Sequence, residues 1–236
     1  MSESVDTERA LREAAFRALA EHGYADLSVA DIGKEFDHSP SLLYHYYEDK
    51  DDLLLTMVET LTEEFLDLRV DPPVEDAEGE LRAILDQVLS PTAADVEPEL
   101  TPPSTSVDVA VARVYVELWS LATWDETFRD RVESVDTRMR DRLARVVAAG
   151  VDNGEFRDVD PDRAAQHVLS LLQHALHVRA TTGEGAVLED IEGLLDDQVA
   201  DLRQPEEGRD DDGRDRGGGD RDQRGDGRGR GGGPKR

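Results

Sequence analysis

Apolar residues recur at spacings of three and four along most of residues 7–202, the signature of amphipathic helices. Leu11, Ala14, Ala15, Ala18 and Leu19 draw one stripe over residues 7–22, and Gly23 stops it as a residue just past a helix C terminus. Val29, Ile32 and Phe36 mark a shorter segment, followed by a second short one over 39–46. Leu53, Leu54, Met57, Val58, Leu61, Phe65 and Leu68 predict a single long helix to about Leu68, broken by Asp71-Pro72-Pro73. Leu81, Ile84, Leu85, Val88 and Leu89 form another amphipathic segment. The most apolar stretch is 107–124. Its opening Val-Asp-Val-Ala-Val alternates like a strand, but Val111, Val114, Tyr115, Leu118, Trp119 and Ala122 keep helical spacing, so length decides for helix. Asp125 caps a helix carrying Phe128, Val132, Val135, Met139, Leu143, Val146 and Val147, ended by Asn153-Gly154. Asp160-Pro161 opens the helix 161–182, with Val168, Leu171, Leu172, Ala175 and Leu176 on one face, and Leu188–Leu202 forms the last. The expected fold class is all-α.

The densest signals lie between Ser28 and Lys50. Ser28 is a good N-cap, and Asp31 can reach back to it as in a capping box. Phe36-Asp37-His38 makes a tight turn, with aspartate tolerant of left-handed backbone. Ser39 caps the next segment and Pro40 occupies its first position, where a missing N–H costs nothing. A helix from Ser41 to about Tyr46 is too short to stand alone. It displays Ser41, Tyr44 and His45, while Leu43 turns inward. A short, doubly capped helix bearing hydroxyls and an imidazole fits the recognition helix of a helix-turn-helix. Asp49 caps the helix that follows, with Lys50 in its first turn.

These residues resemble the DNA-binding domain of the TetR-type transcriptional regulators. The resemblance spans residues 7–59: a first helix ending in Gly23-Tyr24, then Ser28-Val29-x-x-Ile32, then Ser39-x-x-x-Leu43-Tyr44-His45-Tyr46-Tyr47-x-x-Lys50-x-x-Leu53-Leu54. The remainder of the chain matches in architecture only. The sequence departs from the usual pattern at Phe36, where a small residue is common, at the turn Asp37-His38, at Pro40 and at Leu42. The resemblance implies DNA contact by Ser28, Ser39, Pro40, Ser41, Leu42, Tyr44, His45 and Lys50. Ser39 and Ser41 would meet phosphates beside exposed backbone N–H groups. Pro40 and Leu42 would offer apolar contact, for instance to a thymine methyl. It also implies a homodimer whose last two long helices form a four-helix bundle with their twins. A small, apolar effector would be enclosed by the second domain, with Tyr115 and Trp119 at its pocket. The set Tyr115 and Trp119 reads equally as ordinary core.

Charge changes this picture. The 236 residues carry a formal net charge of -28, and residues 1–60 hold five basic against fourteen acidic residues. DNA-binding proteins are normally basic. Either the chain has lost DNA binding and serves as a helical sensor or scaffold dimer, or it works in molar salt. There the Debye length is about 3 Å and charges repel only near contact. An aspartate-rich chain with three lysines (Lys34, Lys50, Lys235) and few aromatics suits an extreme halophile, the reading carried forward. The acidic excess is not a tail effect, because residues 204–236 hold nine acidic and nine basic residues.

Other features narrow the chemistry. With no cysteine there is no disulfide or cysteine-ligated metal site, and no nucleophile–base spacing or phosphate loop points to an enzyme. No stretch reaches the roughly 18 apolar residues of a membrane span and the N terminus lacks an apolar core, so a cytoplasmic location is expected. His167, His174 and His177 are spaced to bind a metal, but polar packing at a helix interface accounts for them better. Residues 90–106 hold four prolines and read as a flexible connector, or a lid over an effector site. Residues 204–236 are Gly, Arg and Asp with almost nothing to bury, and are expected to be disordered. The expected division is thus a helix-turn-helix domain over 1–50, a helical ligand-binding and dimerisation domain over 51–203, and the tail. No cofactor is expected.

Overall fold

Helices account for nearly all of the described residues of the computed structural model, which are 2–36, 42–65, 74–91 and 105–203, with side chains described from residue 6 and not for 64 and 65. They run as α1 (Ser2–Asp26), α2 (Val29–Lys34), α3 (Leu43–Tyr46), α4 (Lys50–Phe65), α5 (Ala77–Leu89), α6 (Val107–Leu121), α7 (Glu126–Asp152), α8 (Pro161–Thr181) and α9 (Gly185–Leu202). Among the described residues there is no strand, only an isolated bridge between Phe156 and Arg203. The all-α expectation holds. Segment 107–124, the one with a strand-like opening, is helical from Val107. The last helix begins at Gly185, three residues before Leu188, because Glu184 and the positive-φ Gly183 set its start.

Caps decide most boundaries. The Asp76 side chain accepts from Gly79 N, that of Asp125 from Thr127 N and Phe128 N, and that of Asp160 from Arg163 N, each meeting donors that a helix start leaves open. Gly23 interrupts α1 with φ 69° and ψ 161°. The positive φ favours glycine, and a Cβ there would lie 3.1 Å from Glu117 Oε1, so the carboxylate would have to shift slightly to admit one.

Two apolar cores result. The first gathers the stripe of α1 with Ile32, Phe36, Leu43, Leu53, Leu54 and Met57, and closes on Ala110, Val114 and Leu118 of α6 and Phe128 of α7. The second joins α5, α7, α8 and α9 through residues such as Leu81, Leu143, Val147, Leu172 and Leu195. Phe156 completes it, its ring so close to Gly150 that a side chain there would collide. Helix α6 serves both, and Val111 packs against each core. A helix common to two cores transmits displacement from one to the other, since close-packed interiors do not deform freely.

Candidate nucleic-acid interface and candidate effector site

The helix-turn-helix is assembled from its caps inward. The Ser28 hydroxyl accepts from Asp31 N at 3.3 Å, and Asp31 Oδ2 accepts from Ser28 N at 3.1 Å, so the capping box is complete. The bonds from Lys34 and then Ser28 hold the Asp31 carboxyl well below the usual carboxylate range. Ile32 and Phe36 are buried and Val29 is partly so, which seats α2 on α1. Residues 37–41 lie outside the described residues, and with them the expected contacts Ser39, Pro40 and Ser41.

Helix α3 is only four residues long, and burial fixes which way it faces. Leu43 is 1% exposed and Tyr47 is buried, whereas Tyr44 is 60% exposed and His45 is exposed as well. Leu42 is half-buried and packs against the first core. Tyr46, also half-buried, meets the His45 ring edge-on at 5.1 Å. Ser28 is exposed. Tyr44 and His45 therefore share the solvent side of a helix anchored by its neighbours.

Asp49 caps α4 by accepting from Asp51 N and Asp52 N, both at 2.9 Å. Lys50 is turned back across the domain. Its ammonium donates to Tyr24 O at 3.3 Å and Leu27 O at 3.0 Å, and stands 4.1 Å from the centre of the Tyr24 ring. Tyr24 in turn donates its hydroxyl to Asp51 at 3.0 Å and its backbone N–H to Glu117 of α6 at 3.3 Å. Burial first, and then the Asp51 carboxylate, push the Tyr24 hydroxyl up to about 12. The pattern of apolar spacing gives no hint of this Tyr24–Lys50–Asp51–Glu117 junction, because its members are polar and far apart in the chain.

The other basic side chains of the region are also engaged. Lys34 pairs with Asp31 at 2.6 Å, and Arg17 pairs with Glu35 at 3.2 Å. Farther along α4, Glu59 and Glu63 accept from Arg131 and Arg138 of α7.

The second candidate site lies where α6, α7 and α8 meet. Tyr115 and Trp119, one turn apart on α6, stack with centroids 4.0 Å apart and planes at 29°. Trp119 Nε1 donates to Asp136 Oδ2 at 3.3 Å, and Gln173 Nε2 donates to Asp136 Oδ1 at 2.9 Å. Burial pushes the Asp136 carboxyl and the Tyr115 hydroxyl upward. Asp136 had a signal in the sequence: it falls four residues after Val132 and seven before Leu143, on the face that is otherwise apolar.

His167, His174 and His177 are all exposed on α8. Among the described residues no group of three histidine, aspartate or glutamate side chains is placed to hold a metal ion. No described helix is long and apolar enough to cross a membrane.

The capped α2 and the short, core-anchored α3, set between α1 and α4, have the arrangement of a helix-turn-helix DNA-binding domain. The family model for bacterial regulatory proteins of the tetR family matches residues 11–57, and that for the C-terminal region of BetI-type transcriptional repressors matches residues 77–204. The chain belongs to the TetR family, whose members are transcription factors rather than enzymes. Solved structures agree. A TetR transcription regulator from Haloarcula marismortui ATCC 43049 is 29% identical, with a TM-score of 0.68 over 85% of this chain and 100% of its own. A transcriptional regulator from Saccharomonospora viridis, in complex with choline, is 20% identical, with a TM-score of 0.66 over 87% of this chain and 100% of its own. FadR from Bacillus subtilis, in complex with stearoyl-CoA, is 17% identical, with a TM-score of 0.62 over 83% of this chain and 99% of its own. No curated protein is similar enough in sequence to count as a match.

Proposed function

We propose that the protein is a ligand-responsive homodimeric repressor that places the helix ending at Tyr46 in the major groove of a near-palindromic operator. The observation that carries this reading is the split within α3: Leu43 is sealed in the core while Tyr44 and His45 face solvent. Neighbouring residues so divided leave two hydrogen-bonding side chains on a rigid mount, the arrangement that base-edge and phosphate contacts require. Residues 1–50 are the reading head and residues 51–203 the effector and dimer region. Ser28, Ser39, Pro40, Ser41, Leu42 and Lys50 complete the contact set. Helices α8 and α9 pair with their twins, a role favoured by the exposed Leu194 on α9. The two recognition helices then meet successive major grooves about 34–36 Å apart.

An effector bound beside Tyr115 and Trp119 must prefer one dimer spacing over the other. Its route to the DNA runs through α6, where Glu117 holds the Tyr24 N–H next to Lys50 and Asp51. The neighbours that hold choline and stearoyl-CoA bind chemically unrelated ligands on the same scaffold. The ligand class of this chain therefore depends on its own side chains.

The acidic reading head suits molar salt, and the pairing of Arg17 and Lys34 within the domain leaves few cations for phosphates. Counterion release then contributes little to affinity. The test is binding to the DNA upstream of the protein's own coding sequence, titrated with KCl. A shallow slope of log affinity against log salt is expected; a slope like that of a protein neutralising about six or more phosphates overturns the salt argument. Absence of binding at every salt concentration favours a helical sensor or scaffold that has lost DNA binding, the reading that the net charge of residues 1–60 supports.

A further inference from the structure

We infer that the buried guanidinium of Arg142, where α7 meets α5, is the binding site of a halide ion, chloride under the molar salt proposed for this chain. The inference rests on that molar-salt reading. It concerns a different face of α7 from the one that meets Trp119 and Gln173.

Arg142 is 4% exposed, and a guanidinium cannot shed a proton to become neutral. Its Nη2 donates to Glu80 of α5, while Nε and Nη1 are sealed from water and find no acceptor among the described residues. The preceding turn of α7 repeats the shortage. Arg138 gives Nη1 to Glu63 and Nη2 to Glu59, the latter at 3.0 Å, and its sealed Nε has no partner among the described residues. Counter-charge is not what is missing. Glu59 and Glu63 balance Arg131 and Arg138, and Glu80 balances Arg142. Acceptors are missing, and a buried donor left without one is costly.

The surroundings choose between occupants. Met139 and Val146, one turn to either side of Arg142 on α7, are apolar, and Leu81, next to Glu80, is fully buried. A water in such a place has two hydrogens of its own to satisfy and needs several polar partners to stay. A halide only accepts. A carboxylate or phosphate brings further oxygens that need donors, and more bulk than a single atom between two packed helices. Chloride also gives up its hydration far more readily than fluoride, so it meets a buried N–H at lower cost. High affinity is not required: at about 2 M salt, a dissociation constant of about 20 mM already means a hundredfold excess of ligand. The stability of the second domain then depends on which anion is present, and not on ionic strength alone.

The test compares melting temperatures of the full chain in KCl and in KF at equal concentration, about 2 M, for the parent and for Arg142→Met. The quantity read is the increment, chloride minus fluoride, so the effect of the substitution itself on stability cancels. General salt effects run the other way, since strongly hydrated anions strengthen burial more. The increment of the parent is expected to exceed that of Arg142→Met by about 5 °C or more, the shift that a hundredfold excess of ligand brings to a chain of this size. If Arg142→Met fails to fold, Arg142→Lys, which keeps the charge without the planar donors, takes its place. Crystals of the parent in KBr are expected to show an anomalous bromide peak within hydrogen-bonding distance of Nε or Nη1 of Arg142. Equal increments in parent and variant overturn the inference, as does a map with bromide only on the surface. A peak at Arg142 without the difference in increments marks an adventitious ion only and overturns it too. Neither measurement contains DNA, so their failure leaves the repressor reading standing, and a failure of DNA binding leaves them interpretable.

Discussion

Truncation of Leu43 to alanine tests whether α3 is held by its single buried anchor. The helix has four residues, too few to be stable without tertiary support, and Leu43 is 1% exposed against Ile32, Phe36 and the α4 leucines of the first core. Leu43→Ala removes three carbons, worth about 2.4 kcal/mol at roughly 0.8 kcal/mol each. The cavity left behind adds to this, giving an expected total of about 3 kcal/mol within the usual span of about 2–5. For a chain of this size that corresponds to a fall in melting temperature of roughly 6–12 °C. Tyr44→Ala, one residue on and mostly in water, should change stability by no more than about 0.5 kcal/mol. The assay is urea unfolding followed by far-UV circular dichroism on both variants and the parent. If Leu43→Ala is as silent as Tyr44→Ala, α3 is not anchored as described and the argument for a rigid mount fails.

Two further expectations follow from the junctions around the core. The raised Tyr24 hydroxyl means that the folded state favours the neutral phenol, so its contribution is complete below the unfolded value near 10 and is lost as pH climbs from about 10 to about 12. Tyr24→Phe should shrink the alkaline loss of stability, read as the pH dependence of the unfolding midpoint, leaving the part due to the buried Tyr115 hydroxyl; an undiminished loss would mean that Tyr24 contributes none of it. Arg142 is 4% exposed and pairs with Glu80, while its Nε and Nη1 find no partner among the described residues. Glu80→Ala should therefore cost about 3 kcal/mol by stranding a buried charge, whereas Arg142→Met should cost less than about 1 kcal/mol or stabilise; denaturant midpoints falling in the reverse order would contradict this account of the pair.

The sequence carried the fold because helical spacing and caps agree along it. Ser28 with Asp31, Asp49, Asp125 and Asp160 each accept the backbone hydrogen bonds that their positions led one to expect. The inward Leu43 and the outward Tyr44 and His45 were also expected, from reading this stretch as a recognition helix. At Lys50 the motif suggested a phosphate contact and gave no sign of the second role the distances show, an ammonium resting on two carbonyls and a tyrosine ring of the preceding corner. Such a tether depends on how α1 turns at Gly23, which no local pattern encodes. Tyr115 and Trp119 were visible as an aromatic stripe, yet their partners were not. Asp136 and Gln173 reach them from two other helices, and only packing brings the three together. Glu117 was similarly hidden, a charge on a helix face that turns out to meet the backbone at Tyr24. Polar residues make their long-range pairings through tertiary structure, and hydrophobic periodicity is blind to them.

The central claim is that the solvent-facing pair on α3 reads DNA, and the most direct measurement is fluorescence anisotropy with upstream duplex at about 2 M KCl, comparing the parent with Tyr44→Ala and His45→Ala. Each substitution should weaken binding by about tenfold or more while leaving the helical spectrum and unfolding midpoint unchanged, since loss of one directional contact is worth roughly 1–3 kcal/mol. Undiminished affinity in both variants, with the parent bound tightly, would contradict the claim and move the contact surface elsewhere.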